Sequence, residues 1–199
     1  MMLSKLRNRI RPLRRRAADR RHERGGAMVE MAILAIPLMT IALGTIEVGL
    51  LWQESTVLND ASRSGARVAA ALVDDPAADR EALRAVVSHI GDLSEVEYVV
   101  IYELDGSGAM PAGCDTGSQT TCNRYPLSAL LELDVDSRWE CGASAHDGAW
   151  CPTTRMAELH SPIDVGVLIV TAQQPLTEFF PGTVEVRAET IMRLNPLTR

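Results

Sequence analysis

The sequence lacks the short motifs that mark the common catalytic and nucleotide-binding sites. It contains no G-x-S-x-G, no H-E-x-x-H, no phosphate-binding loop and no dinucleotide fingerprint. It has four cysteines, but no C-x-x-C pair of the kind that binds zinc. We therefore predict no catalytic residues, no metal and no cofactor, and we expect a protein that is not an enzyme.

Aromatic residues are also scarce, at 4% of the chain, and none lies among the basic residues at the N-terminus. Residues 1–25 contain ten Lys or Arg and only two acidic residues, a net charge of +8. Because the whole chain carries −6, the other 174 residues carry −14. A basic tail on an acidic body indicates a membrane or a polyanion as partner. Without interleaved aromatic side chains or a DNA-binding fold, nucleic acid is the weaker alternative.

Ionisable residues are absent from Met31 to Ile46, and after Glu47 the apolar character resumes as far as Trp52. The 22 residues from Met31 to Trp52 would form about 33 Å of helix, which is enough to cross a bilayer core of about 30 Å. The run is longer than the apolar part of a secretory signal, which has about 7–15 residues. We therefore predict a transmembrane helix over residues 26–52. The positive-inside rule places the basic residues 1–25 in the cytoplasm.

The junction between the basic tail and the apolar run combines two glycines with a glutamate. Gly25 and Gly26 are followed by Glu30, which is costly at a membrane entry unless a cation pairs with it. The arrangement resembles the type IV prepilin cleavage motif, in which a Gly precedes the cut and a Glu stands fifth after it. A cut after Gly25 would remove all ten basic residues, and a cut after Gly26 would leave Glu30 only fourth.

The wider sequence resembles the TadE-like family, minor pseudopilins of the tight-adherence (Tad, Flp) pilus systems. The likeness runs from Arg24 to Leu34 and continues at Gly44–Gly49 and Asn59–Ala70. It returns at Val186–Pro196 near the C-terminus. Met31 departs from the family, which usually has an aromatic residue after the glutamate.

This resemblance implies a membrane-anchored, pilin-like structural component of a Tad-type pilus assembly system. Its partners would be other pilins and pseudopilins, the pilus assembly platform and a prepilin peptidase. The resemblance also implies that the peptidase cuts at Gly25 or Gly26. Glu30 and Glu47 would act in assembly by pairing with the new N-terminal amine. A second class stays open, namely a membrane-tethered extracytoplasmic enzyme or binding protein that uses the helix only as an anchor.

The part beyond the membrane is predicted to be α+β. Residues 53–73 continue the helix, and their small residues Ala61, Gly65 and Ala69 form either a helix-contact row or a core face. Residues 74–199 form an extracytoplasmic head. In it, Asp75 caps a second helix that begins at Pro76 and ends at Gly91. Three β-rich segments predict an antiparallel sheet: Glu95–Leu104, Ile163–Thr171 and Thr183–Met192.

The cysteines lie in two segments that carry no clear pattern and are predicted to be loops, Asp105–Arg124 and Asp136–His160. An even number of cysteines in an extracytoplasmic domain favours disulfide bonds. Of the three pairings, near neighbours are preferred because they close both loops: Cys114–Cys122 and Cys141–Cys151. Each bridge would contribute about 2–4 kcal/mol. Zinc bound by these thiols with His146 or His160 is the weaker alternative.

Overall fold

The computed structural model describes residues 11–72, 75–139, 141–142, 144–155, 164–175 and 182–193, and for residues 11–24 it describes the backbone only. The chain divides into two compact units, Met1–Val48 and Gly49–Arg199. The first ten residues of the basic tail, His160, and residues 176–181 with Phe179 and Phe180 lie outside the described residues. The predicted ends of the leader at residue 25, of the membrane segment at residue 52 and of the helix continuation at residue 73 remain predictions.

Helix α1 runs from Arg11 to Ala71 and supplies the whole described part of the first unit. Its large apolar side chains are exposed over a long stretch, from 76% at Met28 to 54% at Val48. Gly25–Ala71 contains a window with a mean hydropathy of 2.0 and no buried residue, so by length and composition this helix could cross a membrane. An apolar helix surface without a protein partner is typical of a segment that lies in lipid.

The second unit contains the C-terminal part of α1, helix α2 (Ala78–Val87) and a four-stranded sheet. Ala61, Gly65 and Ala69 are buried in its core. A Cβ atom added at Gly65 would lie 2.5 Å from Cγ2 of Val86 in α2 and 3.6 Å from Cγ1 of Val167 in the sheet. The small-residue row therefore forms a core face of its own domain, where it lets α1 approach both neighbours closely.

All strand pairs of the sheet are antiparallel, in the order β2-β1-β3-β4. The strands are β1 (Val96–Glu103), β2 (Cys122–Pro126), β3 (Asp164–Gln173) and β4 (Val184–Arg193). The predicted α+β class and the three predicted strands are confirmed. In β4 the exposed residues alternate with partly or fully buried ones, as the sequence pattern predicts.

The two faces of the sheet bury separate apolar clusters. Val99, Ile101 and Ile169 belong to the larger cluster, together with residues of α1 and α2. Tyr102 and Leu168 belong to the smaller cluster on the opposite face, which also includes both cysteines of the first predicted loop. Both central strands are therefore covered on both sides, which explains their nearly continuous burial.

Three local predictions need correction. The segment Asp105–Arg124 is not all loop, because β2 begins at Cys122 and is followed by the short helix α3 (Leu127–Leu130). The segment Asp136–His160 contains single 3₁₀ turns at Asp136–Arg138 and Pro152–Thr154.

Helix α2 begins at Ala78 rather than Pro76 and ends at Val87 rather than at Gly91. The predicted cap, Asp75, instead serves the turn before the helix, where its Oδ1 accepts the N–H of Ala77 at 2.8 Å. Asp75 therefore takes up a free N–H group as predicted, but in the turn before the helix rather than at its first residue.

Candidate functional site

Gly25, Gly26 and Glu30 lie on one exposed stretch of α1. A Cβ atom at either glycine would meet nothing within 4 Å among the described residues, so neither is required by packing. Each glycine lowers helix stability by about 1 kcal/mol relative to alanine, so the helix unwinds more readily at this pair than it would at two alanines. Unwinding is what a peptidase needs in order to take a peptide bond in extended form.

The structure does not bring Glu30 and Glu47 together. They are 17 positions apart on one helix, or about 26 Å along its axis, so one amine cannot reach both. Glu30 is exposed, whereas Glu47 is 3% exposed and has an interaction partner. Of the two predicted assembly residues, only Glu30 lies within a few residues of the predicted new N-terminus.

Two disulfide bonds join the four cysteines in the near-neighbour pairing, Cys114–Cys122 and Cys141–Cys151. The thiols are thus not available as zinc ligands. Among the residues that the structure describes, no group of three His, Cys, Asp or Glu side chains is placed to hold a metal ion.

A buried polar network, which the sequence does not predict, fixes the segment that contains Cys151. Asp79 of α2 is fully buried and accepts two hydrogen bonds from the Arg155 guanidinium, at 2.6 and 2.5 Å. The hydroxyl of Tyr125 also donates to Asp79. Burial and the negative charge of Asp79 raise the pKa of Tyr125 well above its ordinary value, which keeps this donor protonated.

Asn123 connects the same network to the sheet. Its side-chain amide donates to Asp79 at 3.0 Å and to the Trp150 carbonyl at 2.7 Å, and its carbonyl accepts the Trp150 N–H at 2.9 Å. The Arg155 guanidinium lies 3.8 Å from the centre of the Trp150 ring. A sequence signal existed, because Asp79 shares a helix face with Leu83 and Val86, where a carboxylate requires a buried partner.

These features define a class of protein: a small, disulfide-bonded α+β domain on one long helix that is apolar enough to enter a membrane. Residues 25–67 match the family model described as TadE-like protein, about a fifth of the chain. The match confirms the resemblance stated for the N-terminal segment and suggests a Tad pilus-associated component. No curated protein and no solved structure matches the chain.

Proposed function

We propose that this protein is a membrane-anchored, pseudopilin-like structural component in the assembly of a Tad/Flp-type pilus. One observation carries the proposal: the segment that matches the TadE-like model begins at Gly25, and Glu30 and the exposed apolar surface of α1 follow directly. A helix that only anchored an enzyme would need neither glycine nor glutamate at its entry.

In this proposal the basic leader first holds the precursor in the membrane. Each Lys or Arg near an anionic leaflet contributes about 1 kcal/mol of attraction. A prepilin peptidase then cuts after Gly25 or Gly26 and removes the ten basic residues. The cut creates an α-amine that can pair with Glu30 of the same or a neighbouring chain. Because an ion pair is far stronger in a low dielectric than in water, this step would favour helix–helix assembly in the membrane.

The processing step is tested by co-expressing the chain with a prepilin peptidase and measuring its mass and new N-terminal residue. Native protein should lose the leader, and N-terminal sequencing decides between Gly25 and Gly26. Gly25→Trp should block the mass shift of a chain that is cut after Gly25, and Gly26→Trp that of a chain that is cut after Gly26. Gly44→Trp is the matched control, because Gly44 lies in the same helix and a Cβ there also meets nothing within 4 Å among the described residues. An intact residue 1–25 segment beside an active peptidase would contradict the proposal.

The assembly step needs a separate variant. Glu30→Gln should permit leader removal but weaken co-purification with partner pilins, since the amide cannot form an ion pair with the amine. Glu47→Gln tests the other predicted assembly residue separately, because Glu47 lies about 26 Å along α1 from Glu30 and is too far from the amine of its own chain. Equal partner recovery for native protein and Glu30→Gln would remove Glu30 from the assembly mechanism.

The proposed orientation places the N-terminus in the cytoplasm and the second unit outside it. A reporter that is active only outside the cytoplasm, fused after Arg199, should therefore be active. In a second fusion, the Lys and Arg residues between positions 5 and 24 are replaced by glutamine. This chain should no longer insert in one orientation, so its reporter activity should fall. A native fusion that is present at full length but inactive would overturn the whole architecture.

A further inference from the structure

The second unit contains a groove of about 370 Å³ next to the end of the predicted membrane segment. It lies between α1, the turn at Ile90–Glu95 and the end of β3 at Thr171–Gln174. Leu50, Val57 and Ile90 supply apolar walls. The charged residues of its lining are all carboxylates: Glu54, Asp92 and Glu95. The groove therefore suits a cation that is carried on an apolar stem, such as an arginine side chain.

Two of these carboxylates already have neutral partners. Glu95 Oε2 accepts the Gln173 amide at 3.1 Å, and Asp92 Oδ1 accepts the Ser94 N–H at 2.9 Å. Glu54 differs, because its Oε1 accepts the Thr171 hydroxyl at 2.9 Å but its Oε2 is buried without any hydrogen-bond partner in the described structure. Since a desolvated carboxylate oxygen without a donor is unfavourable, Glu54 Oε2 is the acceptor in this groove that an incoming donor would stabilise.

A matching cation lies further along the same helix. Arg67 is exposed and has no ion pair, hydrogen bond or ring contact within the described structure. Each of the other described arginines of this unit has an ion pair or a ring contact: Arg63, Arg80, Arg84, Arg124, Arg138, Arg155, Arg187 and Arg193. Arg63 is the best residue to compare with Arg67, because it is also exposed on α1 but forms an ion pair with Asp60 at 3.7 Å.

Glu54 and Arg67 cannot meet within one chain. Thirteen residues of α-helix separate them by about 20 Å along the axis and place them on faces about 140° apart. Resting on the proposed function, we propose that Arg67 of one copy inserts into the Glu54 groove of the next copy. The arginine stem would lie on Leu50, Val57 and Ile90, while its guanidinium would donate to Glu54 Oε2.

This contact is head-to-tail, because the donor and the acceptor are different surfaces of the same chain. Such contacts do not form a two-fold symmetric dimer; they build a ring where the rotation between copies closes and an open stack where it does not. Two copies anchored side by side at the same depth hold their α1 helices in register, which keeps Arg67 about 20 Å away from the neighbouring groove. The contact therefore belongs to copies that have shifted along one another, as subunits of a growing fibre do.

The test is oxidative cross-linking of the full chain in cells that carry the assembly system. Gln174, which is exposed and lines the groove, and Ala71, which is exposed one turn after Arg67, are both replaced by cysteine. The native cysteines are all in disulfides, so the introduced ones are the available thiols. The double variant should give cross-linked trimers and larger species. Each single variant can give dimers at most.

Charge variants then test the pair itself in that double-cysteine chain. Arg67→Glu should lower the yield of the larger species about tenfold, the effect of losing one interfacial charge pair. Adding Glu54→Arg to Arg67→Glu exchanges the two charges and should restore the series of cross-linked trimers and larger species, here called the ladder. Glu54→Gln, which keeps an acceptor for Thr171, should weaken the ladder without disturbing the fold. Arg63→Glu is the matched control and should leave it unchanged.

Leader removal, measured in the same cells, separates the two proposals. If the chain is processed and recovered with the fibre but forms no ladder, the groove contact is wrong and the pilin proposal stands. A cross-link from the groove to a different protein likewise overturns the contact between copies. If the chain is neither processed nor assembled, the proposed function is wrong. The contact between copies, which rests on that function, is then wrong as well.

Discussion

Asp79 and Arg155 lie 76 positions apart in the sequence and form an ion pair in which both side chains are almost completely removed from solvent, at 0% and 2% exposure. The pair joins α2 to the segment that follows the Cys141–Cys151 disulfide. Tyr125 and Asn123 of β2 contact the same carboxylate. The pair therefore holds together three parts of the second unit that are distant in sequence.

We expect Arg155→Ala to destabilise the fold by about 3–5 kcal/mol, because the buried Asp79 carboxyl group would lose its ion-pair partner. Asp79→Ala should have a similar effect. Arg187→Ala is the control, since its pair with Glu185 is about half exposed and should matter by less than about 1 kcal/mol. Urea unfolding followed by tryptophan fluorescence measures this, as Trp150 stacks on Arg155. Equal losses for Arg155→Ala and Arg187→Ala would contradict this assignment.

Gly65→Ala should destabilise the second unit although alanine is the better helix former. A Cβ atom at this position would lie 2.5 Å from Val86 Cγ2 and 3.4 Å from the Ala82 carbonyl oxygen. Overpacking of this kind costs about 1–3 kcal/mol, more than the gain of up to about 1 kcal/mol in helix propensity. Gly91→Ala is the control, because a Cβ there meets nothing within 4 Å. A higher melting temperature for Gly65→Ala would show that α2 moves aside without cost.

The sequence predicts the elements whose patterns are local. β1 and β3 are rich in β-branched residues, β4 alternates between exposed and buried positions, and the small residues Ala61 and Gly65 recur at helical spacing. β2 escapes prediction because it has only five residues and includes Arg124 and Pro126. Its place in the sheet depends on pairing with β1, which no local pattern expresses.

The candidate sites divide in the same way. The spacing of Gly25 and Glu30 can be read directly from the chain, because both lie on one short segment. The Asp79–Arg155 pair and the Glu54 groove each combine residues from segments far apart in sequence, so only the fold reveals them. The sequence also does not reveal that Arg67 has no partner among the described residues, because this depends on where the other charged side chains lie in the fold.

The two disulfides should differ in how readily they are reduced. Cys114 and Cys122 are completely buried in the smaller cluster, whereas Cys141 and Cys151 are partly exposed. Because reduction needs access of a thiolate to the sulfur, Cys141–Cys151 should open first under mild reductant without denaturant. Alkylation and peptide mass mapping over time would measure this. Simultaneous reduction of both bonds, or earlier reduction of Cys114–Cys122, would contradict the difference in burial.

Asp147 should make the second unit less stable as the pH rises. Its carboxyl is buried next to the Cys141–Cys151 disulfide, and burial, with the nearby charge of Asp79 adding to it, raises its pKa above the ordinary aspartate value. The folded state therefore binds a proton that the unfolded state has released. Stability is thus highest below the unfolded pKa, near 4, and falls as the pH rises through the folded pKa.

Asp147→Asn removes this titration while an amide oxygen remains to accept the Cys141 N–H, which is 3.2 Å from Asp147 Oδ1. The variant should unfold at a higher urea concentration than the native protein at pH 7, and at a similar concentration near pH 3. Asp105→Asn is the control of opposite sign, because hydrogen bonds from Ser107 and Ala109 lower the pKa of Asp105. The ionised form of Asp105 therefore stabilises the fold above the unfolded pKa, and this contribution is lost as the pH falls through the folded pKa. If Asp147→Asn lowered stability at pH 7, the ionised carboxylate would be a favourable partner of Arg155 rather than an unfavourable buried charge.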